Sequence, residues 1–106
     1  MNQVSVDIIK EKLDAGEELF VIDVREPEEY DEININAILL PLSKLRNFVF
    51  EAIEGLKDKE LFIHCKSGMR SMQACMILEQ AGFANTNNVE GGIIAWLQKY
   101  PEVKLP

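Results

Sequence analysis

Short apolar runs along the chain alternate with stretches in which apolar residues recur every three or four positions. Leu19-Phe20-Val21-Ile22, Ala37-Ile38-Leu39-Leu40 and Leu61-Phe62-Ile63 are continuous runs, and Asn87-Asn88-Val89 is a weaker fourth. Such runs suit strands covered on both faces in a parallel sheet. Between them lie helical patterns. Ser5 caps a stretch in which Ile8, Ile9 and Leu13 share a face, with Gly16 as its stop. Pro27 opens a short helix with Glu28 and Glu29 at its positive end. Leu45, Phe48, Val49, Ala52, Ile53 and Leu56 predict one continuous third helix, and Met72, Cys75, Met76, Leu78 and Ala81 a fourth that ends at Gly82. Gly91-Gly92 opens a last helix through Ile93, Ile94, Trp96 and Leu97. Trp96, Cys75 and the methionines are expected in the core. No Asn-Gly or Asp-Gly hairpin turn interrupts the alternation, which therefore predicts an α/β domain with a mainly parallel sheet and helices on both faces.

Length allows one such domain over residues 1–106, with enough surface buried for a single core. The net charge of −7 argues against nucleic acid or an anionic membrane as a partner. Its placement changes the picture. Residues 1–32 hold 11 acids and three bases, whereas residues 33–106 hold seven acids and eight bases. The acidic third reads as a solvated face, and the remainder is free to host an anion site. The opening residues show no basic and apolar leader, and no apolar run approaches the length of a spanning helix. Cys65 and Cys75 stand ten apart and there is one histidine, so neither a metal site nor a CxxC pair is expected. Free thiols point to a cytoplasmic, reduced protein, and no cofactor is implied.

In open α/β sheets, ligands bind beyond the carboxyl ends of the strands. The turn to watch is Cys65-Lys66-Ser67-Gly68-Met69-Arg70-Ser71, between a buried run and a long helix. A thiol is reactive as its thiolate, and a helix N-terminus with neighbouring cations favours that form. Gly68 permits a tight curl that aims successive amides inward at an anion. Arg70 brings a planar fork of donors, and Lys66 a second positive charge. Ser67 and Ser71 either cap the following helix or contact a bound group.

This loop resembles that of the rhodanese (thiosulfate sulfurtransferase) homology family, whose pattern is close to Cys-x-x-Gly-x-Arg-Ser. The segments Val21–Tyr30 (VIDVREPEEY) and Val89–Trp96 (VEGGIIAW) resemble two further signatures of that family, in its order and spacing. The resemblance runs from about Ser5 to Tyr100. It implies a three-layer domain with about five parallel strands, and a sulfur transfer in which Cys65 becomes a persulfide. Lys66, Ser67, Gly68, Met69, Arg70 and Ser71 would then surround a small anionic sulfur donor such as thiosulfate. The acceptor would be a thiol, cyanide or a sulfur-carrier protein. Ile33-Asn34-Ile35-Asn36-Ala37 departs from the family's Gly-His-Ile-x-Gly-Ala segment, being one residue shorter and without its glycines.

Two other readings share these residues. His64-Cys65 with Arg70 five positions on is similar to the loop of cysteine phosphatases and arsenate reductases, but one residue short of Cys-x5-Arg. A catalytically silent module that docks a partner is the other, though such modules usually lack the cysteine. His64 neighbours Cys65 on a strand and so points to the opposite face, which argues against a direct pair and for a satisfied core or rim histidine. Asp23 and Arg25 read as structural braces, and Gly91-Gly92 as a tight turn beside the loop. Oligomeric state leaves no mark in the sequence.

Overall fold

The computed structural model describes residues 1–106. In chain order the elements are β1 (Asn2–Val4), α1 (Val6–Asp14), β2 (Phe20–Asp23), α2 (Pro27–Glu32), β3 (Ile38–Leu39) and α3 (Leu42–Arg46). A 3-10 helix (Glu51–Leu56), β4 (Glu60–His64), α4 (Met69–Gln80), β5 (Asn85–Val89) and α5 (Gly92–Lys99) follow. All strands are parallel, in the order β1-β5-β4-β2-β3, so β4 is central.

Alternation of side chains along each strand splits the core in two. Ile22, Leu61 and Ile63 face one layer with Leu45, Ile53, Ala74, Cys75 and Leu78 from α3, the 3-10 helix and α4, and with Phe83 just after α4. Val21 and Phe62 face the other with Val6, Ile9, Ile93 and Trp96 from α1 and α5. The expected three-layer α/β architecture is therefore the observed one. Ser5 caps α1 as expected, its Oγ accepting from the Asp7 amide at 3.2 Å.

Two expectations are corrected, and one strand is added. The single helix predicted across Leu45–Leu56 is broken: α3 stops at Arg46, and Phe48 takes φ +57 before the 3-10 helix begins. Asn47 ends α3, its side chain donating to the Ser43 carbonyl at 3.0 Å, and Phe48 is 70% exposed instead of packed. Met69, Met72 and Met76 lie on the outer face of α4 and are exposed rather than core. The first strand, Asn2–Val4, has no apolar run to announce it. It is held by pairing with β5 and by Asn2 Nδ2 donating to Asn87 Oδ1 at 3.2 Å. Strand β5 is itself polar, yet Thr86, Asn87 and Asn88 are buried because their side chains find partners, as in Asn87 Nδ2 to the Leu61 carbonyl at 3.0 Å.

Ile33–Ala37 needs no glycine. Asn36 supplies the left-handed residue at φ +68, its amide donating to Asn34 Oδ1, while Ile35 is buried in the second core layer.

Candidate active site

Cys65 directly follows the central strand β4, and Gly68, at φ +108, turns the chain into α4. The Gly68 amide donates to Cys65 Sγ at 3.1 Å, and Ser71 Oγ lies 3.4 Å from the same sulfur. Amides of Ser67 and Ser71 complete a ring of donors around it. Burial alone would push the Cys65 thiol up; the Ser71 hydroxyl and these three amides outweigh it and hold the thiol below its ordinary value. Cys75, on the same side of the sheet, has no such ring, and burial pushes it up to about 11. One cysteine is prepared for ionisation and the other is core packing.

The amides point inward because the carbonyls are held outward. The first N–H groups of a helix lack intrahelical partners. Those of α5 find them in the loop: Ile93 N donates to the Cys65 carbonyl at 2.9 Å, and Ile94 N to the Lys66 carbonyl at 3.2 Å. So close an approach requires a glycine at the start of α5. A Cβ on Gly92 would stand 2.4 Å from the Cys65 oxygen and 2.6 Å from the Lys66 oxygen. Gly91-Gly92 thus does more than turn the chain; it seats the helix end against the loop.

His64 points away from the sulfur, as strand alternation requires. Its Nδ1 meets the Cys65 carbonyl at 3.2 Å, and its Nε2 lies 3.6 Å from Asp23 Oδ2 without a hydrogen bond. Burial lowers its pKa, outweighing the nearby Asp23 charge that raises it. Asp23 and Arg25 are the expected braces. Arg25 is 3% exposed, donates to both Asp23 oxygens at 2.8–3.1 Å, and reaches the Ile33 carbonyl at 2.8 Å.

The other loop residues divide. Lys66, Ser67 and Met69 are exposed at the rim. Neither serine caps α4, which has no side-chain cap; Ser67 faces solvent and Ser71 is fully buried against the sulfur. Arg70 is already engaged. Its two terminal nitrogens lie 2.6 and 2.9 Å from the Glu29 oxygens, and the guanidinium holds the Glu29 carboxyl down at about 2. Glu29 also accepts from the Glu26 amide at 3.1 Å, so α2 carries the pair to the mouth of the site. Sequence reasoning set the acidic third apart as a solvated face and missed this link. A recess of about 230 Å³ beside the loop is lined by Arg25, Glu29, Glu32, Lys66, Ile93 and Leu97. A larger cavity, about 290 Å³, lies at the other end of the sheet, near Leu19 and Asn36, remote from the cysteine.

No helix is long and apolar enough to cross a membrane. Residues 5–99 match the family described as rhodanese-like domain. YtwF of Bacillus subtilis, which bears the name of a sulfurtransferase, is 45% identical over 98 residues, covering 91% of this chain and 90% of its own. YrkF of the same organism, which bears the name of a sulfur carrier, is 34% identical over 92% of this chain and 51% of its own. The crystal structure of a rhodanese-like domain protein from Staphylococcus aureus superposes with a TM-score of 0.78 at 32% identity, covering 91% of each chain. The chain belongs to the rhodanese-like domain family.

Proposed function

We propose that this protein is a sulfurtransferase in which Cys65 carries sulfur as a persulfide. The observation that carries this reading is the buried ring of donors on Cys65 Sγ, led by the Gly68 amide at 3.1 Å. The Cys65 thiolate attacks the outer sulfur of thiosulfate or a similar sulfane donor. A Cys65 S–S bond forms, the donor's S–S bond breaks, and sulfite departs with the electron pair. The amides of Ser67, Gly68 and Ser71 then face the terminal sulfur anion, which needs donors at the position where charge develops. A thiol, cyanide or a sulfur-carrier protein attacks that sulfur, and Cys65 leaves as thiolate. Lys66, exposed and in no ion pair, orients the anionic donor, and Arg70, paired with Glu29, offers its guanidinium at the mouth of the site. Ser67 and Met69 form the rim. The relatives' names support sulfur transfer to or from a carrier as the broader setting. Two free thiols suit a reducing compartment such as the cytoplasm.

Incubation with thiosulfate and cyanide should yield thiocyanate, and Cys65→Ser should abolish it. Intact-mass measurement after thiosulfate alone should show about +32 Da, the added mass of one persulfide sulfur, on wild type only. A protein that gains no sulfur from any sulfane donor would overturn the reading.

A further inference from the structure

Ser71 stands between two groups that both require its single hydrogen. Its Oγ lies 3.4 Å from Cys65 Sγ and also hydrogen-bonds Asn88 Oδ1. The direction of that hydrogen follows from Asn88. Asn88 Nδ2 lies 3.2 Å from the Gly68 carbonyl and 3.0 Å from Gln3 Oε1. A backbone carbonyl only accepts, so Nδ2 is fixed as the donor end and Oδ1 faces Ser71 as an acceptor. The hydroxyl therefore donates to Asn88, leaving only its lone pairs for the sulfur. That arrangement matches a protonated Cys65, whose S–H donates to Ser71 Oγ. A thiolate has no hydrogen to give and requires one. Ser71, Cys65 and Asn88 are 0%, 1% and 2% exposed, so bulk water does not substitute for any of them.

We propose that Asn88 is a positioning residue that competes with the Cys65 sulfur for the Ser71 hydrogen, making thiol ionisation and rotation of that hydroxyl one coupled step. As the Cys65 proton leaves to solvent, the Ser71 hydrogen swings from Asn88 Oδ1 to the sulfur. Asn88 Oδ1 then loses its buried donor, and this loss opposes ionisation. The amide donors of the loop stay in place throughout. The charged and titratable groups around Cys65 are Lys66 on the loop, Arg70 of α4 with Glu29 of α2, His64 of β4, and the Asp23–Arg25 pair of β2. None of them hydrogen-bonds Asn88 or Ser71; Asn88 reaches the sulfur through Ser71 and also holds the Gly68 carbonyl, and the double variant below separates the two routes. The inference rests on Cys65 being the sulfur carrier, but its test does not require turnover.

The pH dependence of Cys65 alkylation, resolved from Cys75 by peptide mass spectrometry, reads the ionisation. Asn88→Ala should move the midpoint down by roughly half a pH unit or more, about a threefold gain in thiolate at a fixed pH below it. Ser71→Ala should move it up, and the double variant should coincide with Ser71→Ala. If Asn88→Ala loses its native circular dichroism, Asn88→Leu fills the same space without an acceptor and carries the same expectation. An unchanged or raised midpoint in the Asn88 variant, a Ser71→Ala midpoint that does not rise, or a double variant that still shows the Asn88 shift would overturn the coupling. Failure to form a persulfide alongside the expected midpoints would instead strike the sulfurtransferase reading alone.

Discussion

Glu29 holds Arg70 through both carboxylate oxygens, at 2.6 and 2.9 Å, joining the start of α2 to the start of α4. The pair changes the electrostatics of the mouth. Arg25 is neutralised by Asp23 and Arg70 by Glu29, which leaves Lys66 as the cation there without a partner. A doubly charged donor therefore meets a fork that is already occupied.

Freeing the fork should strengthen donor binding. Glu29→Gln keeps an acceptor for the Glu26 amide and removes the charge, so KM for thiosulfate should fall about threefold to tenfold, the yield of roughly 1 kcal/mol. Arg70→Ala should raise KM by a similar factor, with kcat little changed in both. Steady-state kinetics at low and high salt would check this, and both effects should shrink as salt screens the mouth. Equal KM values in all three proteins would refute a role for the pair in binding.

The same pair gives a signed acid dependence. The Glu29 carboxyl is held down from an ordinary 4.5 to about 2, first by Arg70. A depressed carboxyl contributes stability above its unfolded value, and that contribution disappears as pH falls from about 4.5 through about 2. Both side chains are about a third exposed, so solvent limits the contribution to below about 1 kcal/mol. Urea unfolding of wild type and Glu29→Gln should differ at pH 7 and converge near pH 2. A difference that persists at low pH would contradict the assignment.

The two thiols should separate cleanly in reactivity. Small alkylating reagents should modify Cys65 with a midpoint below that of a free thiol, about 8.5, and leave Cys75 untouched until far higher pH. Cys75 is pushed up to about 11 by burial. Tryptic mapping after a short reaction at pH 7.5 would show it. Preferential labelling of Cys75 would contradict the donor ring.

Gly92 and Gly82 both have positive φ and should respond differently to alanine. At Gly92 the new Cβ collides with two loop carbonyls, whereas nothing lies within 4 Å of one at Gly82. Gly92→Ala should cost about 2–4 kcal/mol and most of the activity, because the loop must shift. Gly82→Ala should cost about 1 kcal/mol through backbone strain alone and leave the rate intact. Denaturant midpoints and thiocyanate assays on both variants would decide.

Buried apolar runs made β2, β3 and β4 legible, because a strand covered on both faces must be apolar. The Cys65 loop was legible for a local reason: thiol, glycine and cations fall within seven residues. What escaped notice depends on partners distant in sequence. The polar β5 is stable only because Asn87 and Asn88 find hydrogen bonds on β1, β4 and the loop. The role of Glu29 depends on a residue 41 positions away. The apolar spacing from Leu45 to Leu56 suggested one helix, but it cannot register the left-handed turn at Phe48 that leaves that ring exposed. Helical spacing on α4 likewise grouped Met72 and Met76 with the core, although the helix has a second, outward face.

The docking of α5 on the Cys65 and Lys66 carbonyls carries a thermodynamic consequence. A loop that closed around its ligand would spend binding energy on its own ordering. Here the backbone is clamped from behind by a helix end, so the donors are aimed before any sulfur arrives. Binding should then be accompanied by little loss of loop motion, and a ligand too large for the ring should be refused rather than accommodated. Selectivity in this site is a property of stiffness as much as of charge.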